Sequence, residues 1–232
     1  MEDFYSQMAE QKRELDISTV MQKVFLMMTL GFVVTALTSL ITVNVPRILY
    51  FVINFWQPLL LAEFLLVIIL SYNIKNMGTA TCNIAFYLYA ILNGLTLSII
   101  FFAYTESSIA STFFIAATMF GLAALYGKKT NKDLTKFGTF FMMGLIGLLL
   151  AGVINLFLMN SMVDFVATVV GIVLFIGVTA YDVQKIKEIS TVVGDGDEEK
   201  MAQVVTMGAL SLYLDFINIF LKLLALSGKR RK

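Results

Sequence analysis

Residues 24–43 form an unbroken stretch of twenty residues without a charge. Stretches of similar length recur along the chain, and no other feature restricts its possible folds so strongly. About 20 apolar residues are what an α-helix needs to cross the hydrocarbon core of a bilayer. The dryness of that core forces each backbone amide to find its partner within the segment. Six further runs follow at 48–72, 84–104, 109–126, 137–159, 163–181 and 201–226. With 59% apolar residues, 14% charged residues and a mean hydropathy of +0.84, the chain lies outside the range of a soluble domain. The expected fold class is all-α integral membrane, with seven transmembrane helices in contact with the lipid bilayer. No linker is long or polar enough to separate two domains, so 1–232 reads as one polytopic membrane domain. Within it, 1–23 is a cytoplasmic lead-in able to form a surface helix capped at Asp16 or Ser18, 24–226 is the bundle, and 227–232 is a basic tail.

Local signals refine the runs. Pro58 is expected to kink or shorten the second run, because proline lacks an amide donor and clashes with the preceding turn. Glu106-Ser107-Ser108 reads as a tight turn before the fourth run. Gly144, Gly147, Ala151 and Gly152 put small residues on the fifth, where helices can approach closely. The segment before the first run and the loops after the second, fourth and sixth hold eleven Lys and Arg, whereas the loops after the first, third and fifth hold only Arg47. The positive-inside rule therefore puts the amino terminus in the cytoplasm. A full crossing by the seventh run then leaves Lys229-Arg-Arg-Lys232 on the other side, against the same rule; a re-entrant helix is the alternative, and the full crossing is preferred on length.

Net charge is +1, which gives no footprint for nucleic acid. The single cysteine, Cys82, excludes an internal disulfide, and it reads as a small residue at a loop edge. Histidine is absent, so any proton sensing falls to carboxylates. Three acids lie in or beside apolar runs: Glu63 in the second, Asp182 at the end of the sixth and Asp215 in the middle of the seventh. An acid at the centre of a membrane helix costs roughly 2.5 to 3.5 kcal/mol on insertion scales, so it faces a protein interior or a wet cavity. Ser211, Asp215, Asn218 and Lys222 fall on one helical face, with Lys222 expected to snorkel to the interface. Were Asp182 and Asp215 to meet, repulsion would favour one shared proton and titration in two linked steps. Such a pair is a proton-controlled latch that also offers oxygen ligands to calcium. The alternative for Asp182 is a hydrated helix end beside Lys185, and for Glu63 a satisfied interhelical hydrogen bond.

Tyr181-Asp182 together with Gly194-Asp195-Gly196-Asp197 looks like the paired motifs of intramembrane aspartyl proteases. Asp197, however, sits in a hydrophilic loop, and the only prolines are Pro46 and Pro58, whereas those enzymes carry a Pro-Ala-Leu motif near the carboxyl end. An enzyme is therefore the third reading.

Three segments in order and spacing carry a more specific likeness: Leu125-Tyr-Gly-Lys-Lys-Thr-Asn-Lys-Asp-Leu-Thr-Lys-Phe-Gly138, Tyr181-Asp-Val-Gln-Lys-Ile-Lys187 and Leu210-Ser-Leu-Tyr-Leu-Asp-Phe-Ile-Asn218. In these the chain resembles the Bax inhibitor-1 (transmembrane Bax inhibitor motif) family, from about Val20 to Leu226. The resemblance implies a seventh helix at the centre of the other six, and a pH-sensitive passive calcium leak gated by Asp182 and Asp215. Glu63, Asn218 and Ser211 are then accessories along the ion path, and Asp182 and Asp215 transient calcium ligands. The arginine that can latch one aspartate in bacterial members is absent, and Lys75 in Asn73-Ile-Lys-Asn76 is the nearest substitute. A lysine supplies a point charge and not a bidentate fork. The implied partners are calcium and protons, with no resident cofactor; protein partners are left open. A non-conducting interaction protein of the cell-death or stress-response type is the alternative function. Similarity to bacterial members favours a bacterial cytoplasmic membrane over the endoplasmic reticulum.

Overall fold

The computed structural model describes residues 2–191 and 198–231. Among these, seven helices or broken helices are long and apolar enough to cross a membrane. The first, α1 (Glu2–Asn44), runs 43 residues without interruption. The expected separate surface helix is thus continuous with the first crossing. No glycine or proline stands before Gly31 to stop it, and its inner face is already buried at Val20 and Val24.

The second run is two helices, α2 (Pro46–Asn54) and α3 (Trp56–Asn73), and not one. Pro58 is the physical reason for the break: its ring displaces the carbonyl of Asn54, so the chain leaves helical geometry at Phe55 (φ −110°, ψ 23°) and restarts. The third run divides into α4 (Thr79–Leu97) and α5 (Ile100–Ala103). Cys82 is buried in the first turn of α4 and not at a loop edge. Glu106 does not lie in a turn. It opens α6 (Glu106–Lys129), with Thr105 extended before it. The fifth run is α7 (Gly138–Leu158), ended by Met159 in the left-handed region at φ 49°. α8 (Ser161–Ser190) and α9 (Glu198–Ser227) each continue beyond the apolar runs that announced them.

Two compact units emerge, Met1–Ile100 with Ile186–Leu210, and Phe101–Lys185 with Ser211–Lys232. In the first, α1 and α4 cross so closely that a Cβ on Gly94 would lie 2.7 Å from the Thr35 carbonyl oxygen. Thr35 Oγ1 donates to the Ala90 carbonyl at 2.9 Å and Ser39 Oγ to the Gly94 carbonyl at 2.7 Å. Helices in lipid gain from such packing and hydrogen bonds because no hydrophobic effect drives them together. The first half of α9 joins this unit: Gln203 Nε2 donates to the Met77 carbonyl at 3.1 Å, and Gly208 lies beside Val24 and Ile186.

In the second unit, α6 and α8 meet backbone to backbone where Gly127 faces Ala180, and any Cβ on Gly127 would overlap the Ala180 carbonyl. The second half of α9 packs on α6 through Phe216, whose ring centroid lies 5.2 Å from Phe113 and 5.7 Å from Phe120. Of the small residues on α7, Gly144 receives Leu174, but Gly147 and Gly152 face open space. The expected close approach is therefore confined to one glycine. α7 is the least covered span, with 6% of its most apolar window buried, against 61% for α9. That contrast marks the C-terminal helix as the one in contact with many others.

The tail after α9 is tied to the segment before α6. Arg231 N donates to the Ala103 carbonyl at 2.9 Å and Thr105 N to the Lys229 carbonyl at 3.0 Å, an antiparallel bridge onto the segment before α6. Lys229 N adds a bond to Ser108 Oγ at 2.8 Å. The basic loop lies at the other end of α6. A helix of 24 residues is about 36 Å long, more than the roughly 30 Å hydrocarbon core. Tail and basic loop thus lie at opposite ends of α6, and α9 is itself long and apolar enough to cross a membrane.

Candidate functional site

Asp182 and Asp215 both belong to the second unit, and α8 and α9 bring them together. The apolar run stops at Tyr181 but the helix continues to Ser190, so Asp182 stands more than two turns inside α8 and is not at a hydrated helix end. The two helices are antiparallel, and steps of three or four residues along one are matched by steps of four along the other. Asp182 faces Ser211, with a hydrogen bond between the side chains, and Thr179, one turn back, faces Asp215 in the same way. The carboxyl groups are close enough to repel each other.

Their surroundings differ. Asp215 is 4% exposed, and its Oδ2 is shielded from solvent with no hydrogen-bond partner. Leaving a buried polar atom unsatisfied costs about 1–3 kcal/mol, and more for a charge. Asp182 is half-buried and feels Lys185, one turn further along α8, whose Nζ lies 5.8 Å from the Tyr181 ring centroid. The level of Asp182 is fixed by its neighbour Gln184. That side chain accepts from Leu134 N at 2.7 Å and donates to the Lys132 carbonyl at 2.9 Å, clamping α8 to the basic loop. Thr179 is fully buried and its Oγ1 donates to the Phe175 carbonyl at 2.8 Å.

Other residues on the α9 stripe have separate positions. Asn218 spends its amide on the Leu214 carbonyl of its own helix at 2.8 Å. Lys222 is half-buried, its stem lying over Gly171 of α8 where a Cβ would collide with it. Glu63 is held in the first unit, in a polar cluster of its own. Thr96 Oγ1 donates to its Oε1 at 2.9 Å, Asn93 hydrogen-bonds to it and Tyr89 is close enough to feel its charge. The side chain of Lys75 lies outside the described residues, as do Gly194, Asp195, Gly196 and Asp197 of the protease-like motif. Among the described residues no three His, Cys, Asp or Glu side chains form a metal-binding group.

Sequence reasoning singled out Ser211 but missed Thr179 and Gln184. Thr179 had a usable signal, since it lies three residues before Asp182 and so on the same helical face. Gln184 had none, because its partners are backbone atoms of a loop.

Residues 17–232 match the model of the family described as inhibitor of apoptosis-promoting Bax1. The chain is 39% identical over 218 residues to the inner membrane protein YbhL of Escherichia coli, an alignment covering 93% of each chain. An uncharacterised protein of Rickettsia prowazekii is 40% identical over 91% of this chain and 89% of its own length. One of Borreliella burgdorferi is 36% identical over 97% and 98%. With all seven spans inside the matched region, this multi-pass integral membrane protein belongs to the Bax inhibitor-1 family.

Proposed function

We propose that the protein is a passive, proton-controlled cation leak for calcium, with Asp182 and Asp215 as sensor and gate. The observation that carries this reading is Asp215 Oδ2, a carboxylate oxygen buried in a membrane span without a partner and beside a second acid. A buried oxygen that costs energy and has no structural bond to make points to a functional role for its side chain. With one proton between them, the acids can bond to each other and hold α8 against α9. With none, their charges repel or recruit a hard cation through oxygen ligands. Calcium takes 6–8 oxygens in a stable site. Two carboxylates helped by Ser211 suit an ion that passes and is not stored. Glu63 and Asn218 are accessories to the path in this reading, Asp182 and Asp215 are transient ligands, and Lys75 is the nearest available latch.

The single polytopic domain spans a bacterial inner membrane, consistent with the name of the E. coli relative. Its amino terminus and basic loops face the cytoplasm. The test is calcium flux into liposomes containing the pure protein, titrated against pH. Flux that varies with pH in the wild type and loses that variation in Asp215→Asn is the expected result. A protein that leaks nothing at any pH overturns the reading in favour of a non-conducting interaction protein.

A further inference from the structure

α7 is the least covered span, and its open side carries a groove. Gly144, Gly147 and Ala151 leave the helix without bulk where it runs beside Val163, Ala167 and Val170 of α8, and a Cβ on Gly147 would meet nothing within 4 Å. The result is a cavity of about 440 Å³ with an apolar lining. A second cavity of about 370 Å³ lies between the same two helices, beginning at Gly152, the residue after Ala151, and reaching the α7–α8 turn at Met159. Here Asn155, Ser161 and Asp164 enter the lining. Both volumes fall in the range of about 300–1,000 Å³ that ligand pockets occupy. From Gly144 to Asn155 the helix rises about 16 Å, half of the roughly 30 Å hydrocarbon core. Apolar over one leaflet's depth and polar at the helix turn, the two cavities together have the profile of a phospholipid.

The polar end selects the headgroup. Asn155 is buried and its side chain shapes the turn: Oδ1 accepts from Asn160 N at 3.0 Å, and Nδ2 donates to Asp164 Oδ1 at 2.5 Å. Asn160 Oδ1 in turn accepts from Met162 N at 2.9 Å, so the start of α8 has its cap without help from Asp164. Asp164 is exposed, and among the described residues it forms no ion pair. No Lys or Arg occurs between Lys136 and Lys185, and no other acid between Asp133 and Asp182. The second cavity is therefore lined by a lone carboxylate with the Ser161 hydroxyl one turn before it, an acceptor set without a cation. A primary ammonium brings a positive charge and three donors, as a lysine head does. A trimethylammonium brings the charge but no donor, and a phosphoglycerol headgroup is an anion that the carboxylate repels. We infer that the α7–α8 groove is a binding site for a phospholipid with a primary-amine headgroup, its acyl chain along Gly147 and Ala151 and its ammonium on Asp164.

The test is native mass spectrometry of the full-length protein, delipidated in detergent and titrated separately with phosphatidylethanolamine, phosphatidylcholine and phosphatidylglycerol of identical acyl chains. Phosphatidylethanolamine is expected to bind about tenfold more tightly than the other two, the worth of a charge-assisted hydrogen bond. Asp164→Asn should erase that preference, and Asp164→Glu, which keeps the charge, should retain it. Gly147→Leu fills the groove from a position where a side chain meets no neighbour, and should weaken all three lipids while leaving the unfolding midpoint in place. Equal binding of the three lipids by the wild type overturns the inference, as does a preference that survives Asp164→Asn. A lipid-free dimer that dissociates in Gly147→Leu would give the groove to a second copy of the chain and overturn it too. None of these readouts depends on conduction, so the lipid site and the leak reading stand or fall separately.

Discussion

Glu63 and Asp215 are both acids buried in membrane spans, one in each unit, and their company sets them apart. Glu63 sits among neutral polar side chains. Thr96 shares its hydroxyl between Glu63 at 2.9 Å and the Asn93 carbonyl at 3.0 Å, and the Asn93 side chain adds a further bond. Asp215 has a second acid, the hydroxyl of Thr179 and an oxygen with no partner. In the proposed reading, therefore, burial alone does not make a sensor. A carboxyl surrounded by donors has its bonds made and acts as part of the packing, whereas one facing another acid changes its bonding with every proton gained or lost.

The largest effect that would break this comparison is on the pH response. Asp215→Asn is expected to abolish the pH dependence of calcium flux, and Glu63→Gln to leave its midpoint in place while altering only the rate. Flux titrations of the two variants side by side check this, and equal loss of pH dependence would make the two acids members of one sensor.

Next come the glycine crossings, which separate packing from sensing. Gly94→Ala and Gly127→Ala each force a Cβ against a facing backbone carbonyl, and overpacking of this kind costs about 1–3 kcal/mol. Both should lower the unfolding midpoint in detergent. Only Gly127→Ala should also move the flux–pH curve, because the displaced residue, Ala180, lies two positions from Asp182. A shift in the curve from Gly94→Ala would show that the first unit shares in sensing.

A smaller change probes the satisfied acid directly. Thr96→Val deletes a hydroxyl donor to Glu63 and leaves Oε1 underbonded, at a cost of about 1–3 kcal/mol. Thermal unfolding at neutral pH should register that loss. No loss would mean that Glu63 was never held by its cluster.

Much of this contrast was legible beforehand. Hydropathy located the seven spans, and helical periodicity put Ser211 and Asp215 on one face. What hydropathy marks, however, is where lipid ends and not where a helix ends. Lys185, Lys187 and Glu188 are good helix formers, so α8 continues through them and carries Asp182 inside. Pro58 announced a break, but its position at Phe55 follows from which carbonyl the ring displaces. Thr179 was hidden because a threonine in an apolar run is unremarkable until its partner is known. The tail was hidden for a different reason: its bridge to Ala103 and Thr105 is made by backbone groups that every residue possesses.

The smallest expected effect concerns an acid outside the membrane, which any acid titration of the pair must be distinguished from. Asp133, in the basic loop, accepts from the backbone amide and the hydroxyl of Thr135 and lies 3.9 Å from Lys136 Nζ. These bonds, the Thr135 hydroxyl foremost, hold its carboxyl below the ordinary aspartate value. A depressed carboxyl contributes its stabilisation above the unfolded value, about 3.9, and loses it as pH falls through the lower folded value. Since the same loop is clamped by Gln184, two residues from Asp182, strong acid can disturb the pair through this route as well. The window separates the two. Above about pH 5 Asp133 stays charged in both folded and unfolded chains and adds no slope. Asp133→Asn should therefore leave the flux profile from neutral pH down to about pH 5 unchanged, and speed hydrogen exchange at the Thr135 amide. A displaced profile in that range would assign part of the sensing to the loop and weaken the contrast between the two buried acids.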